Sequence, residues 1–198
     1  MFTGIIETMG VVKEVITSGT NRSFWIASPI AAELKIDQSV AHNGVCLTVD
    51  ALQPGMHRVT AIDETLKKTH LGTCQQGSKV NVERCLVMGG RLDGHMVQGH
   101  VDTVGECLSV EDRDGSWLFS FRFPAAFANL MIEKGSICLN GISLTAFAVS
   151  KNSFAVAIIP YTWEHTNMHA IKPGDQVNLE FDMVGKYIQR SILLKEND

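Results

Sequence analysis

The stretch His42-Asn-Gly-Val-Cys-Leu-Thr-Val49 returns later in the chain as Leu139-Asn-Gly-Ile-Ser-Leu-Thr-Ala146. Gly44 and Gly141 set an offset of 97 residues. The same offset relates Val80-Asn-Val-Glu83 to Val177-Asn-Leu-Glu180, Thr65 to Thr162, Thr69 to Thr166 and Gly77 to Gly174. Toward the N-terminus the offset is 95: Gly4 matches Gly99, Thr8 Thr103, Gly10 Gly105 and Pro29 Pro124. The change places a two-residue insertion between Pro124 and Ser136. A register held over turn glycines and polar positions alike is a duplication. Its period suits a whole small domain rather than a solenoid unit. Two domains, 1–94 and 95–185, are expected, linked through the glycine-rich Met88–Gly94, with a tail at 186–198.

Within each copy the local signal is β. Val11–Ile16, Ser23–Ile26, Cys46–Val49 and Val80–Glu83 are short and rich in β-branched or aromatic residues. Turn chemistry separates them at Ser18-Gly19, Asn21, Pro54-Gly55 and Gln76-Gly77. Short, evenly spaced strands predict an all-β fold with a closed or nearly closed antiparallel barrel in each copy. Ser28-Pro29 reads as an N-cap and N1 proline for a helix over 30–34, and Pro124 opens 125–131 in the same way. From Gly185 onward, Tyr187, Ile188, Ser191, Ile192 and Leu194 have helical spacing. A stripe that short needs the body or a partner chain to pack on.

The 198 residues carry 17 Lys+Arg against 21 Asp+Glu, a formal charge of −4, with no basic excess to attract nucleic acid. No apolar run approaches the ~18 residues of a membrane helix, and Met1–Gly10 lacks a signal-peptide pattern, so a cytoplasmic protein is expected. Cys46, Cys74, Cys85, Cys107 and Cys138 are odd in number and form no C-x-x-C pair, which predicts reduced thiols. His95 and His100 lie five apart, not at helical metal spacing, and no metal is expected. His42, His57, His70, His165 and His169 carry no motif and read as structural or solvated. Nucleophile-elbow, P-loop and Rossmann patterns are missing.

A duplicated barrel offers two equivalent pockets for two equivalent ligands. The shared polar positions Asn43/Asn140, Thr48/Thr145 and Thr65/Thr162 can hydrogen-bond a planar heterocycle or a polyol. Equally, Asn-Gly can serve only as a turn and the threonines only as strand residues. The copies differ in reactive groups: Ile5 becomes His100, Cys46 becomes Ser143, and Asp37 becomes Lys134. Like sites with unlike side chains can hold one ligand as donor and one as acceptor.

Met1-Phe-Thr-Gly-Ile-Ile-Glu7, the two Asn-Gly boxes and Gly99-His100-Val101 together resemble riboflavin synthase of the α-chain type. The resemblance runs over nearly the whole chain. It implies two six-stranded Greek-key barrels and a C-terminal helix around which a homotrimer forms. It implies a cofactor-free dismutation of two 6,7-dimethyl-8-ribityllumazine molecules to riboflavin and 5-amino-6-(ribitylamino)uracil by transfer of a four-carbon unit. It also implies association with lumazine synthase.

By the same resemblance, the first-copy pocket comprises Gly4, Ile5 and Ile6, then Cys46, Leu47 and Thr48, then Thr60, Ala61, Ile62, Asp63, Glu64 and Thr65. The second comprises Gly99, His100 and Val101, Lys134, Ser143, Leu144 and Thr145, then Ala157, Ile158, Ile159, Pro160, Tyr161 and Thr162. The first pocket of one chain is implied to face the second pocket of a neighbour, with Phe2 and Thr3 at that junction. Catalytic candidates are His100, Ser143, Cys46, Lys134, Thr48 and Phe2: His100 or Ser143 to relay protons, Cys46 and Thr48 to orient the partner ligand. The competing class is a binding protein of antenna type that holds a lumazine or flavin without chemistry. A reductase-type flavin barrel would need an Arg-x-Tyr-Ser strand and a nicotinamide domain, which the chain lacks.

Overall fold

The computed structural model describes residues 1–195, so positions 196–198 of the expected tail lie outside the described residues. The first copy contains β1 (Thr8–Ser18), β2 (Asn21–Ala27), β3 (Ser39–His42), β4 (Val45–Gln53), β5 (Met56–Ala61), a short helix α1 (Asp63–Lys68) and β6 (Lys79–Arg84). The second repeats the order with β7 (Thr103–Asp112), β8 (Trp117–Arg122), β9 (Ser136–Leu139), β10 (Ile142–Thr145), β11 (Ser153–Ile158), α2 (Pro160–His165) and β12 (Gln176–Phe181). A last helix, α3, covers Met183–Lys195.

Strands β1-β2-β5-β4-β3-β6 close the first barrel. The second has the matching order β10-β9-β12-β7-β8-β11. It is nearly closed, because strand β10 ends at Thr145 and the isolated Phe147–Ala155 bridge joins the following segment to β11. The alternation of β5, with His57, Val59 and Ala61 buried between partly exposed neighbours, shows how each strand turns one face inward. Val12, Phe24, Ile26, Val40, Leu47, Val49, Val59 and Val82 fill the first barrel. The second is aromatic instead, with Phe119, Phe121, Phe123, Phe154 and Phe181 around Ile137, Leu139 and Val156.

Two local expectations fail. The 30–34 segment makes only a single 3-10 turn at Ala31–Glu33, without a side-chain cap, and the Ser28 hydroxyl is buried without a hydrogen-bond partner. Residues 125–130 likewise form 3-10 turns rather than an α-helix. So few residues cannot offset the cost of nucleating an α-helix. The short helices present, α1 and α2, lie instead just after β5 and β11, where Lys67–Asp63 (2.6 Å) and Lys68–Glu64 (2.8 Å) pairs support the first of them. The expected tail helix forms, with Lys186 paired to Asp102 at 2.6 Å and Gly185 beside Leu130.

The barrels are related by an approximate two-fold axis. Its contacts come in matched pairs: Phe2 N–H donates to the Val97 carbonyl (2.7 Å) and Val97 N–H to that of Phe2 (3.1 Å). Asn81 Nδ2 donates to the Asn140 carbonyl and Asn178 Nδ2 to that of Asn43, both at 2.9 Å. The Asn43 and Asn140 side chains accept from the Asn81 and Asn178 amides at 2.7 and 2.8 Å. Both residues are buried, with φ of 47° in their turns. Asn43 and Asn140 therefore shape their turns and join the two barrels across the interface. Bonds matched on both sides of the axis hold such a buried polar interface together.

Candidate active site

Near the axis the N-terminal segment of each copy crosses to the other barrel. Ser143 N–H, on β10, donates to the Gly4 carbonyl at 2.8 Å, and Cys46 N–H, on β4, donates to the Gly99 carbonyl at 2.9 Å. The apolar contacts agree: Ile6 packs on the second core and Val101 on the first. Gly4 and Gly99 have φ of 76° and 81°, and a Cβ on either would fall 2.6 Å from the Cβ of Ser143 or Cys46. Only glycine permits that approach.

This exchange corrects the division of residues by copy. Gly4 and Ile6 border Ser143 and the second barrel, not Cys46, while Ile5 lines a depression with Gln38, Ser39, Glu83 and Arg84 of the first. Gly99, His100 and Val101 border Cys46 and the first, so His100 is not brought together with Ser143 and Lys134. Chain order had grouped residues that the fold separates.

On the second barrel, Lys134, Ser143, Leu144, Thr145, Ala157, Ile159 and Thr162 line one depression of about 350 Å³. Phe147, which the sequence did not single out, completes its wall, with Lys134 Nζ 5.0 Å from the ring centroid. Ile158 is buried beneath as core, while Pro160 opens α2 and Tyr161 stacks on His165 at 4.1 Å, 68% exposed. A second missed residue is His95, whose Nδ1 lies 2.7 Å from Ser143 Oγ. Burial holds its imidazole below the usual histidine range, so the ring is neutral near pH 7 and able to accept the hydroxyl proton. Its only sequence signal is a histidine five residues before His100, a spacing that carries no information about Ser143.

On the first barrel, Cys46 is half-buried, and burial pushes its thiol up, which keeps it protonated. Thr48 is exposed one pleat further along β4, with Leu47 turned into the core between them. Thr60 Oγ1 donates to Asp50 Oδ2 at 2.6 Å and contacts Ser23 Oγ at 2.8 Å. Ala61 is buried, Ile62 is 54% exposed at the start of α1, and Asp63 and Glu64 are occupied by their lysine partners. The Thr65 carbonyl accepts from Thr69.

Phe2, expected as a catalytic residue at a junction between chains, is 1% exposed inside this chain, packed with Ala41, Val97 and Cys138. It supports Gly99 from below and touches no cavity surface. Thr3 is likewise internal, donating to Glu83 Oε1 through both N–H (2.6 Å) and hydroxyl (2.7 Å). Among the described residues no group of three or more His, Cys, Asp or Glu side chains is placed to hold a metal ion. No helix among them is long and apolar enough to cross a membrane.

The lumazine binding domain family matches this chain twice, over residues 3–85 and 98–182. A riboflavin synthase of Actinobacillus pleuropneumoniae is 39% identical, covering 100% of this chain and 93% of the relative. One from Mycobacterium tuberculosis is 40% identical over 96% and 97%, and one from Saccharomyces cerevisiae 36% over 98% and 87%. Among solved structures, LumP complexed with riboflavin superposes with a TM-score of 0.86 at 21% identity, covering 91% of this chain and 99% of that one, which is a likeness of fold. Identity at this level, held through both repeats and 87–97% of the length of bacterial and yeast relatives, places the chain in the riboflavin synthase family.

Proposed function

We propose that this chain catalyses the dismutation of two 6,7-dimethyl-8-ribityllumazine molecules into riboflavin and 5-amino-6-(ribitylamino)uracil. One lumazine gives a four-carbon unit to the other, so the two products balance the two substrates without an oxidant or cofactor. The observation that carries the reading is the two-fold exchange of segments. It builds two like sites that differ in their reactive groups: Cys46 and His100 at one, Ser143, His95 and Lys134 at the other.

The donor's 7-methyl group is acidic because its carbanion delocalises into the ring, so a modest base suffices. The neutral His95 acts on it through the Ser143 hydroxyl, and Lys134 faces the same depression as a positive charge. Much of the acceleration comes from holding two bulky substrates in reacting register, a contribution of up to ~7–11 kcal/mol.

The two ligands meet where the first-barrel site of one chain faces the second-barrel site of another, in a homotrimer packed around α3. What supports this is the apolar face of α3, where Val184, Tyr187, Ile188 and Ile192 are more than half exposed beside a groove of about 470 Å³. The protein works in the cytoplasm, and a lumazine synthase is the partner that would supply its substrate.

Purified protein incubated with the lumazine alone tests the activity. Riboflavin and the uracil product are expected in a one-to-one ratio, unaffected by chelators. Tight binding without turnover would return the chain to the antenna class. Native mass spectrometry tests the trimer, with a monomer at micromolar concentration as the adverse result.

A further inference from the structure

Glu83 on β6 and Glu180 on β12 are equivalent residues of the two copies, 4% and 2% exposed. Among the described residues, no cation lies within bonding distance of either carboxylate. Glu83 Oε1 accepts from Thr3 N–H and hydroxyl, and Oε2 accepts from Gly4 N–H at 3.1 Å. Glu180 Oε1 accepts from Gln98 N–H at 2.7 Å, and Oε2 accepts from Gly99 and His100 N–H at 2.9 Å each. Each buried carboxylate is thus a three-donor clamp on an irregular segment, and charge-assisted bonds of this kind are the strong ones.

The clamped segments are the ones that cross. Glu83 belongs to the first barrel, yet the carbonyl of the Gly4 it holds meets Ser143 in the second. Glu180 belongs to the second barrel, yet Gly99 meets Cys46 in the first, and His100 hangs from the same carboxylate by its own N–H. Resting on the reading of these two regions as lumazine sites, we propose that Glu83 and Glu180 are positioning residues that act crosswise. The carboxylate of each barrel sets the edge of the ligand site on the other.

Glu→Gln tests this because it keeps the side chain's size but replaces an acceptor oxygen by an NH2 donor facing N–H donors. In Glu180→Gln, hydrogen exchange at the Cys46 amide should quicken by ~10-fold or more while that at Ser143 stays unchanged. Glu83→Gln should give the mirror image. A riboflavin titration followed at the amides of residues 60–65 and 157–162 should show weaker binding only at the site opposite the substitution. Glu180→Asp, which keeps the charge, should restore part of the protection. The Val59 and Val156 amides, deep in the two cores, report that the fold is intact. If Gln at either position unfolds the chain, Thr3→Val removes a single bond to Glu83 and should still quicken exchange at Ser143 alone.

Exchange quickened in the same barrel as the substitution, in both barrels equally, or in neither would overturn the proposal. A crosswise pattern in a protein that forms no riboflavin would leave the clamp standing and sink the synthase reading instead. Normal turnover without the crosswise pattern would do the reverse.

Discussion

His42 and His57 join Nε2 to Nε2 at 2.8 Å across the interior of the first barrel, and among the described residues no side chain pairs with the Nδ1 atom of either ring. One proton serves the bond while at least one ring is neutral, and protonation of both rings breaks it. Burial, then repulsion from His57, holds His42 well below the imidazole range, and burial alone brings His57 down to about 4. The equivalent residues of the second barrel are Leu139 and Phe154, so the fold itself does not need the pair.

Because the folded pKa lies below the unfolded one, the unfolded chain binds more protons between pH ~6.5 and ~4. Stability is complete above that window and is lost as pH falls through it. His57 alone accounts for on the order of 3 kcal/mol by pH 4. In an acid titration followed by amide NMR, signals of β5 should disappear before those of β11. Replacing both rings together, His42→Leu with His57→Phe, should bring the two transitions together at lower pH. Simultaneous loss of both barrels in the unsubstituted protein would show that the pair does not govern acid sensitivity.

The Ser143–His95 bond predicts coupled kinetics. Ser143→Ala should lower single-turnover conversion by ~10²-fold with little change in riboflavin affinity, and His95→Gln should do nearly the same. Since both break one bond, the double variant should lose little more than either alone. Full multiplicative loss would mean that the two residues act separately.

His100 lies at the other site, on the segment clamped beside Cys46. His100→Gln keeps size and hydrogen-bonding capacity but cannot act as acid or base, and turnover should fall by ~10²–10⁴-fold if the ring moves a proton. Its effect on ligand affinity should appear at the amides of residues 60–65, not 157–162. Perturbation at 157–162 instead would contradict the exchanged arrangement.

A fragment ending near residue 94 bears on the same point. It retains β1–β6 but lacks Gly99–Val101, which border Cys46 in the full chain. The two-fold relation lets a second copy supply Gly4–Ile6 in their place, so riboflavin binding should track dimerisation of the fragment. Sedimentation and fluorescence titration over a concentration series measure both. A monomer that binds with full affinity would show that the exchanged segment is not part of the site.

Much of the fold was legible in the sequence. The 97-residue echo of the Asn-Gly boxes, the strand-forming runs and the turn residues are local signals, because alternation and positive φ are written in neighbouring residues. They marked four strands in the first copy, a matching set in the second and the helix at the tail, whereas six strands per barrel were implied only by the family resemblance. The segments after Ser28 and Pro124 form 3-10 turns rather than α-helices because a capping pattern says where a helix can start, not whether enough residues follow to sustain it.

The makeup of each site was decided only by the tertiary structure. Motif order placed Gly4 with Cys46 and His100 with Ser143, since each pair falls in one repeat. The barrels trade those segments across their two-fold axis, and a hydrogen bond between Gly4 and Ser143 leaves no trace in the residues near either. His95 beside Ser143, the two clamping glutamates and the His42–His57 bond are of the same kind. Their partners are chosen by strand order and by which faces meet at the axis, and both are properties of the closed barrels rather than of any stretch of chain.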